Sequence, residues 1–226
     1  MIKKTMNCVI CNGSSFLYRE HLLLKEEIYK CSSCFYHFVN CSNFNEKDIF
    51  DQQNNNSGSF GGNFSRNSKY LSLLKKQTNI KSILEIGTPD NYGFLEMVFK
   101  EFGKTIEINS HDLIKNNFPS YINFYSNKDE LLRKEIDLLF CIHTLEHIPT
   151  NHLLEFISFC KSVSKKYIFE VPCCETLTRV LKSSTQPHYS FFSELSLKVL
   201  FEEDLILNKT NEVIRFTNLE ELNILI

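Results

Sequence analysis

The 226-residue sequence lacks several features that would define its class. No apolar run approaches the roughly 20 residues that a transmembrane helix needs, which argues against a membrane span. The formal net charge is only −2, so the chain has no general electrostatic attraction to nucleic acid or to anionic membranes. The lysines near the N-terminus are not followed by an apolar segment, so no secretory signal is visible. These absences predict a cytoplasmic protein with neither nucleic acid nor membrane among its partners.

Glycine is also scarce, with seven residues in the chain, and no G-x-G-x-x-G sequence occurs. In nicotinamide-dependent enzymes that motif forms the turn that approaches the pyrophosphate. Its absence ranks a nicotinamide-dependent oxidoreductase low among the candidate functions.

Cysteine, in contrast, is abundant, and four of the nine cysteines are regularly spaced. Cys8 and Cys11 form one C-x-x-C pair, Cys31 and Cys34 form a second, and 19 residues lie between the pairs. This spacing is typical of a four-thiolate zinc site, because each short knuckle aims two sulfurs at one ion. Metal binding would supply the folding energy of a segment that has almost no core of its own.

The four-thiolate site has alternatives, which are a redox pair or a set of buried free thiols. His21, His37 and Cys41 are spare ligands if one thiol is displaced. Four thiolates leave no open coordination position, so the zinc is expected to be structural. A zinc ribbon can also bind nucleic acid, but residues 1–41 carry five Lys and Arg against three acidic residues, which is a small excess.

A polar segment separates this module from the rest of the chain. Residues 51–68 hold three of the seven glycines and are rich in Asn and Ser. Such a segment buries little apolar surface, and two interpretations stay open: a disordered linker, or a lid that orders when a ligand binds. The spacing of Tyr70, Leu73 and Leu74 then predicts a helix.

From Lys81 onward, short apolar runs alternate with helical patterns. This alternation predicts βαβ units, and hence a Rossmann-like, mostly parallel sheet with helices on both faces. The fold class is therefore α/β, preceded by a small zinc ribbon. The expected units are the ribbon at residues 1–45, the flexible lid or linker with its helix at 46–80, and the Rossmann-like domain at 81–226.

Polar residues follow the apolar runs at the positions where a parallel sheet binds its ligands. Glu85 and Gly87 follow the first run, and Glu107 lies 20 residues after Gly87. An acid at that spacing is typical of a ribose-binding position, although it can also be a surface acid at a strand end. His143 and His147 follow the fourth run, so the sequence predicts one site along this edge.

In this order, the segments "ILEIG", "IEIN", "IDLLFCIHTLEHIP", "YIFEVP" and "HYSFFSELSLKVLF" resemble class I S-adenosylmethionine-dependent methyltransferases. The N-terminal "YKCSSCFYHFVN" resembles the zinc ribbon that precedes this domain in sugar C-methyltransferases and in methyltransferases of surface-polysaccharide clusters. Together the resemblances cover nearly the whole chain. They imply S-adenosylmethionine and zinc as cofactors.

The resemblance also assigns individual contacts to the cofactor. Carried over by position, it implies contacts of Glu85 and Gly87 with the methionine moiety, of Glu107 and Asn109 with the ribose, of Asn127 with the adenine, and of Cys141 and His143 with the methionine side. The sequence departs from the family after Gly87, where Pro89 and Asn91 stand in place of further glycines. We expect an altered but usable turn, because Gly87 still permits a close backbone approach.

The resemblance predicts a methyltransferase acting on a small molecule, either a sugar or a precursor of a surface polysaccharide, which can be a nucleotide-linked sugar. The chain ends where the sheet would end, so we expect O- or N-methylation, with O-methylation favoured, rather than the C-methylation of the longer family members. A hydroxyl acceptor needs a general base, and His188 and His147 are the leading candidates. The alternative is a catalytically inactive, zinc-binding scaffold with this fold.

Overall fold

The computed structural model describes residues 5–41, 64–88, 92–112, 117–201 and 206–219. Residues 42–63 and the turn residues 89–91 lie outside this part, and so does most of the segment interpreted as a linker or a lid. Within the described residues, the chain forms two β-sheets and six α-helices.

The larger sheet has seven strands, which are β5 (Ser82–Ile86), β6 (Glu107–His111), β7 (Ile122–Tyr125), β8 (Leu138–Ile142), β9 (Tyr167–Pro172), β11 (Ile206–Lys209) and β12 (Val213–Thr217). Their order across the sheet is β11-β12-β9-β8-β5-β6-β7. Strands β5 to β9 are parallel, whereas β12 runs antiparallel to β9 and to β11.

Helices cover both faces of this sheet. The helices are α1 (Phe64–Lys76), α2 (Gly93–Phe102), α3 (Lys128–Leu131), α4 (Leu153–Val163), α5 (Leu177–Ser183) and α6 (Glu194–Phe201), with short 3-10 turns at Gly103–Thr105 and Leu145–His147. Alternate residues of one strand point to opposite faces. Accordingly, Leu138 packs in the cluster under α1 and α2, and Leu139 packs in the cluster under α4 and α6. The predicted fold class is confirmed.

The smaller sheet contains the cysteine module. Its strands β1 (Thr5–Asn7), β2 (Ser14–Glu20), β3 (Glu27–Cys31) and β4 (His37–Val39) are antiparallel neighbours. The fifth strand, β10 (Ser190–Phe191), comes from the main domain and pairs with β4. The predicted ribbon is thus joined to the main domain by a shared sheet as well as by the chain.

No helix in the described part of the chain has both the length and the apolar character that a membrane crossing requires.

A single carboxylate ties together the starts of the two central strands. Asp137 Oδ2 accepts hydrogen bonds from the backbone amides of Lys81, at 2.7 Å, and Ser82, at 2.9 Å. The Ser82 hydroxyl donates to the same oxygen at 3.2 Å. Hydrogen bonds to a charged group are worth more than neutral ones, so this contact stabilises the pairing of β5 and β8.

We expect Asp137→Ala to lower the free energy of unfolding by about 1.5–3 kcal/mol, because it removes a charged acceptor from the amides of Lys81 and Ser82. Glu135→Ala is the matched control, since this neighbouring side chain is exposed and its loss should change stability by less than about 0.5 kcal/mol. Equilibrium denaturation measures both changes. Equal stability of the two variants would contradict the assignment.

Candidate functional site

The carboxyl ends of β5, β6 and β8 meet at one edge of the larger sheet. The register pairs Ile86 with His111 on one side and with Cys141 on the other. The Gly87 amide donates to the His111 carbonyl at 2.9 Å, which holds the loop after β5 against the end of β6. This is the edge at which parallel sheets bind ligands.

At this edge the backbone of Gly87 lies close to the side chain of Thr144. Its φ is +75°, and a Cβ added there would lie 2.1 Å from Thr144 Oγ1. The Thr144 hydroxyl donates to the Ile86 carbonyl at 3.0 Å, so it is fixed in that position. Only glycine satisfies both the left-handed backbone and the contact with Thr144. Residues 89–91 of the altered turn lie outside the described part.

A cavity of about 270 Å³ opens at the same edge. It lies between the three strand ends and helix α4, so both polar loops and apolar helix side chains line it. The lining residues are Ile86, Gly87, His111, Asp112, Lys128, Thr144, His147, Ile148, Pro149, His152, Glu155, Phe156 and Phe159.

Glu85 lies on β5, next to the loop that begins at Gly87. It is 5% exposed, and its Oε2 atom has no hydrogen-bond partner among the described residues. Burial raises its pKa to about 7; Arg66 and Thr88 act against this shift, and Asp112 adds to it. The buried carboxyl group of Glu85 therefore lies next to the loop that begins at Gly87.

Glu107, the predicted ribose contact, does not lie at the carboxyl end of its strand, where the prediction places it. Glu107 begins β6 and pairs with Ser82, so it lies at the amino edge, opposite the cavity. Its carboxylate accepts from Asn123 at 3.1 Å on the surface. The acid at the carboxyl end of β6 is Asp112, which lines the cavity.

Strand β6 begins at Glu107 and continues to His111, further along the chain than the sequence indicates, because its polar residues are satisfied inside the fold. The Asn109 amide donates to the Ile83 carbonyl at 3.1 Å, and the Ser110 hydroxyl donates to Thr88 Oγ1 at 2.8 Å. Asn109 is fully buried in the sheet. It is not among the residues that line the cavity, although the resemblance implies that it contacts the ribose. Polar residues that resemble a loop in the sequence are thus part of the strand.

Two other predicted contacts have structural roles. Asn127 is exposed and caps α3, with its Oδ1 atom accepting from the Asp129 amide at 2.9 Å. Cys141 is fully buried in the cluster under α4, so it does not line the cavity. Burial raises the pKa of its thiol well above the ordinary value.

His143 lies between two buried carboxylates. Its Nδ1 atom is 3.0 Å from Glu146 Oε1, and its Nε2 atom is 3.0 Å from Glu170 Oε1. Burial disfavours the imidazolium, but the two carboxylates outweigh it and raise the pKa of His143 to about 9. The backbone of His143 has a φ of 54°, which aims the ring between the two acids.

Glu170 also contacts two side chains from distant parts of the chain. The Tyr70 hydroxyl of α1 donates to Oε2 at 2.9 Å, and Arg215 Nε of β12 lies 2.5 Å from the same oxygen. Burial opposes ionisation, but His143 and Arg215 lower the pKa of Glu170 to about 2. Sequence reasoning missed Glu170 and Arg215. They become neighbours only through the antiparallel register of β9 and β12.

The two predicted bases, His147 and His188, are brought together. Their rings are 4.6 Å apart and nearly perpendicular. His147 Nδ1 is 3.1 Å from the Pro187 carbonyl, and His188 Nδ1 is 2.5 Å from Ser183 Oγ. His147 lines the cavity, whereas His188 is 4% exposed and burial lowers its pKa to about 3. The structure thus places His147, and not His188, at the cavity.

The loop that carries His188 is held by both sheets. The Tyr189 amide donates to the Glu146 carbonyl at 2.8 Å. His21 Nε2, in the cysteine module, is 3.0 Å from the His188 carbonyl. Since β10 follows directly and pairs with β4, the position of His188 depends on the module.

The four predicted zinc ligands converge on one point. Cys8 Sγ is 3.7 Å from Cys34 Sγ, and Cys11 Sγ is 3.4 Å from Cys31 Sγ and 3.5 Å from Cys34 Sγ. A tetrahedral ion with Zn–S bonds of about 2.3 Å separates its sulfurs by about 3.8 Å, whereas a disulfide needs about 2.05 Å. The cluster can therefore hold a metal ion.

The spare ligands of the module have other contacts. His21 Nδ1 accepts from the amides of Leu23, at 3.2 Å, and Leu24, at 3.0 Å. His37 packs edge-on against Tyr18, and Cys41 donates to the Val39 carbonyl. None of the three belongs to the cysteine group.

We expect the free energy of unfolding to fall by roughly 1–2 kcal/mol between about pH 6.5 and pH 9.5. This range is smaller than the shift in the pKa of His143 alone implies, because its ring is partly in contact with solvent. The pKa of His143 is raised in the folded state, so its contribution is complete below the ordinary value of 6.5 and is lost as the pH passes through about 9. Denaturation at both pH values should show a flatter dependence in His143→Gln. His152→Gln, at a half-buried histidine away from the two carboxylates, should keep the wild-type slope. A wild-type slope in His143→Gln would contradict the assignment.

No model of a known protein family matches the sequence, and no curated protein matches it. Solved structures do match. A methyltransferase dependent on S-adenosylmethionine, from Archaeoglobus fulgidus, aligns with 77% of this chain and 100% of its own, at 16% identity and a TM-score of 0.54. The N-methyltransferase NodS from Bradyrhizobium japonicum WM9, solved with S-adenosylhomocysteine, aligns with 77% of this chain and 98% of its own, at 14% identity and a TM-score of 0.51.

An O-methyltransferase family protein from Burkholderia thailandensis aligns with 66% of this chain and 55% of its own, at 7% identity and a TM-score of 0.50. At these identities the similarity concerns the fold. The chain has the fold of the S-adenosylmethionine-dependent methyltransferases.

Proposed function

We propose that the protein is an S-adenosylmethionine-dependent methyltransferase. The observation that carries the proposal is the cavity at the carboxyl ends of β5, β6 and β8, which has Gly87 on one side and Asp112 on the other. The fold supports the proposal, since in open α/β sheets ligands bind at this edge.

The described residues suit the parts of this cofactor. Gly87 allows the backbone to approach the methionine moiety, and the buried carboxyl group of Glu85 favours its positive amino group. Asp112 replaces Glu107 as the residue proposed to accept hydrogen bonds from the ribose hydroxyls. His143 is proposed to flank the methionine side, where its two carboxylate partners keep the ring in one orientation.

The sulfonium group of the bound cofactor supplies an activated methyl group, and the chain's own contribution is mainly to hold the acceptor in line with it. We propose that His147 faces the acceptor, because it lines the cavity, and that His188 supports it from behind. His188 by itself suits proton transfer poorly, since it is buried and its pKa is lowered to about 3.

The proposed acceptor is a hydroxyl group of a small molecule, namely a sugar or a precursor of a surface polysaccharide, including a nucleotide-linked sugar. Lys128, His152 and Glu155 place polar groups along the cavity, which suits a hydroxyl-rich acceptor. The sequence resemblance of the cysteine module to that of surface-polysaccharide methyltransferases supports the same class.

We also propose that Cys8, Cys11, Cys31 and Cys34 bind one structural zinc ion. The distances between their sulfurs support tetrahedral binding. None of the nine cysteines, all of which lie in the described part of the chain, forms a disulfide, which agrees with the proposal of a reducing compartment such as the cytoplasm.

We expect S-adenosylhomocysteine to bind the wild-type protein and Asp112→Ala to weaken binding roughly 10- to 150-fold, because a charged hydrogen-bond acceptor is lost. Isothermal titration calorimetry measures the affinity. Glu107→Ala is the matched control, since that acid lies at the opposite edge of the sheet, and its affinity should equal that of the wild type. Absence of binding to the wild type would favour the inactive scaffold, and weakening by Glu107→Ala alone would restore the original ribose assignment.

We expect one zinc ion per chain to be released when the thiols are titrated with an organomercurial reagent. Cys31→Ser should abolish this release, because three thiolates do not complete the tetrahedron. Cys41→Ser, at a buried cysteine outside the cluster, should release zinc like the wild type. A colorimetric zinc indicator follows the release, and unchanged release from Cys31→Ser would refute the ligand set.

A further inference from the structure

One group of side chains outside the cysteine cluster has the composition of a metal site. Glu146, His147 and His188 each offer one ligand atom, and these atoms lie within 4.8 Å of one another. Glu146 and His147 belong to the turn after β8, and His188 belongs to the connection after β9. The three side chains are called the Glu146–His147–His188 cluster below.

Glu146 carries the observation that points to a ligand. The residue is 1% exposed, and its Oε1 atom is 3.0 Å from His143 Nδ1. Its Oε2 atom is buried and has no hydrogen-bond partner among the described residues. A buried carboxylate oxygen without a partner is costly, so an ion or a donor is expected to meet it.

The two imidazoles are oriented as metal ligands usually are. A ligating histidine commonly donates its other ring N–H to a carbonyl, a carboxylate or a hydroxyl, which fixes the ring and its tautomer. His147 Nδ1 has the Pro187 carbonyl as its partner, and His188 Nδ1 has the Ser183 hydroxyl. With Nδ1 engaged in this way, Nε2 of each ring is the nitrogen left to bind an ion.

The backbone holds the two halves of the cluster together. The Tyr189 amide donates to the Glu146 carbonyl at 2.8 Å, and the His188 carbonyl is 3.0 Å from His21 Nε2. His188 is therefore fixed beside Glu146 without the help of an ion. A preformed arrangement of this kind lowers the ordering cost of binding.

We propose that the Glu146–His147–His188 cluster binds a divalent transition-metal ion, as a second metal site separate from the cysteine cluster. Two imidazole nitrogens and one carboxylate oxygen suit Zn²⁺ and Co²⁺. Three protein ligands leave a coordination position open, unlike four thiolates. Since His147 lines the cavity, the ion would lie next to the space proposed for the acceptor.

Binding requires small side-chain rotations. A tetrahedral ion with bonds of about 2.0–2.1 Å separates its ligand atoms by about 3.4 Å. The present upper limit of 4.8 Å therefore has to contract by about 1.4 Å. Rotation of the carboxylate of Glu146 and of the two rings can supply a change of this size.

The role of the ion rests on the proposed function, whereas its binding does not. The ion would bind the acceptor hydroxyl and lower its pKa, so His147 would act as a ligand and not as a base. The O–H bond breaks and its proton passes to water. The oxygen then bonds to the methyl carbon as the C–S bond breaks, and the electron pair stays on sulfur to give S-adenosylhomocysteine.

Equilibrium dialysis of the full-length chain against Zn²⁺, followed by elemental analysis, tests the site. We expect two zinc ions per chain in the wild type, of which the organomercurial reagent releases only the thiolate-bound one. Glu146→Gln and His188→Gln should each weaken binding of the other ion by at least about 100-fold. His152→Gln, a nearby histidine outside the cluster, should still bind two ions.

A second measurement uses only the wild-type protein, so it tests the site even if a variant fails to fold. Added Zn²⁺ should raise the Tm of wild-type protein that already carries thiolate-bound zinc, because the ion binds only the folded chain. One zinc ion in the wild type, or no rise in Tm, would overturn the proposal. Two ions in Glu146→Gln would do the same.

The two proposals fail separately. S-adenosylhomocysteine binding, measured by calorimetry with and without Zn²⁺, reports on the proposed function alone. Two zinc ions without S-adenosylhomocysteine binding would keep the metal site and remove the methyltransferase. The reverse result would keep the methyltransferase and remove the metal site.

Discussion

The arrangement of the site depends on one imidazole, His143, held between the buried carboxylates of Glu146 and Glu170. A buried charge is tolerated only when it is paired, and here the partners come from four separate elements. Tyr70 of α1 and Arg215 of β12 complete the surroundings of Glu170, while Glu146 lies in the turn after β8. His143 also has a positive φ, a backbone conformation that costs energy for a residue other than glycine and that persists only when its surroundings hold it. Together these contacts fix the ends of β8, β9 and β12 relative to one another.

The cysteine module is part of this arrangement and not an appendage. Its strand β4 pairs with β10, His21 contacts the His188 carbonyl, and the Thr150 hydroxyl donates to the Val39 carbonyl at 2.7 Å. The module has little core of its own, and its residues Tyr36 and Phe38 pack in the same cluster as the main domain. Binding of the proposed zinc ion in the module would therefore contribute to the position of a loop that carries a candidate functional residue.

The sequence predicts what local patterns determine. The alternation of apolar runs indicates the parallel sheet, and the cysteine spacing indicates a ligand set that the structure brings together. The order of segments also places His147 and His188 at the same edge. The predicted position of Glu107 at the carboxyl end of β6 is wrong. The strand continues through Asn109, Ser110 and His111, whose polar groups are satisfied by contacts outside β6. Partners such as Glu170 and Arg215 depend on the register of distant strands, which no local pattern contains.

The closeness of the four sulfurs has a further consequence for the handling of the protein. Cys11 Sγ lies 3.4 Å from Cys31 Sγ, so a displacement of little more than about 1 Å would bring the two sulfurs to bonding distance. In a reducing medium, removal of the proposed zinc ion would leave thiols that can bind it again. In air, the same thiols can be oxidised to a disulfide, which no longer offers the thiolates that zinc requires. Loss of the proposed zinc ion would then be reversible or irreversible according to the redox conditions. A preparation exposed to both a chelator and oxygen would hold an oxidised, metal-free population alongside the native one.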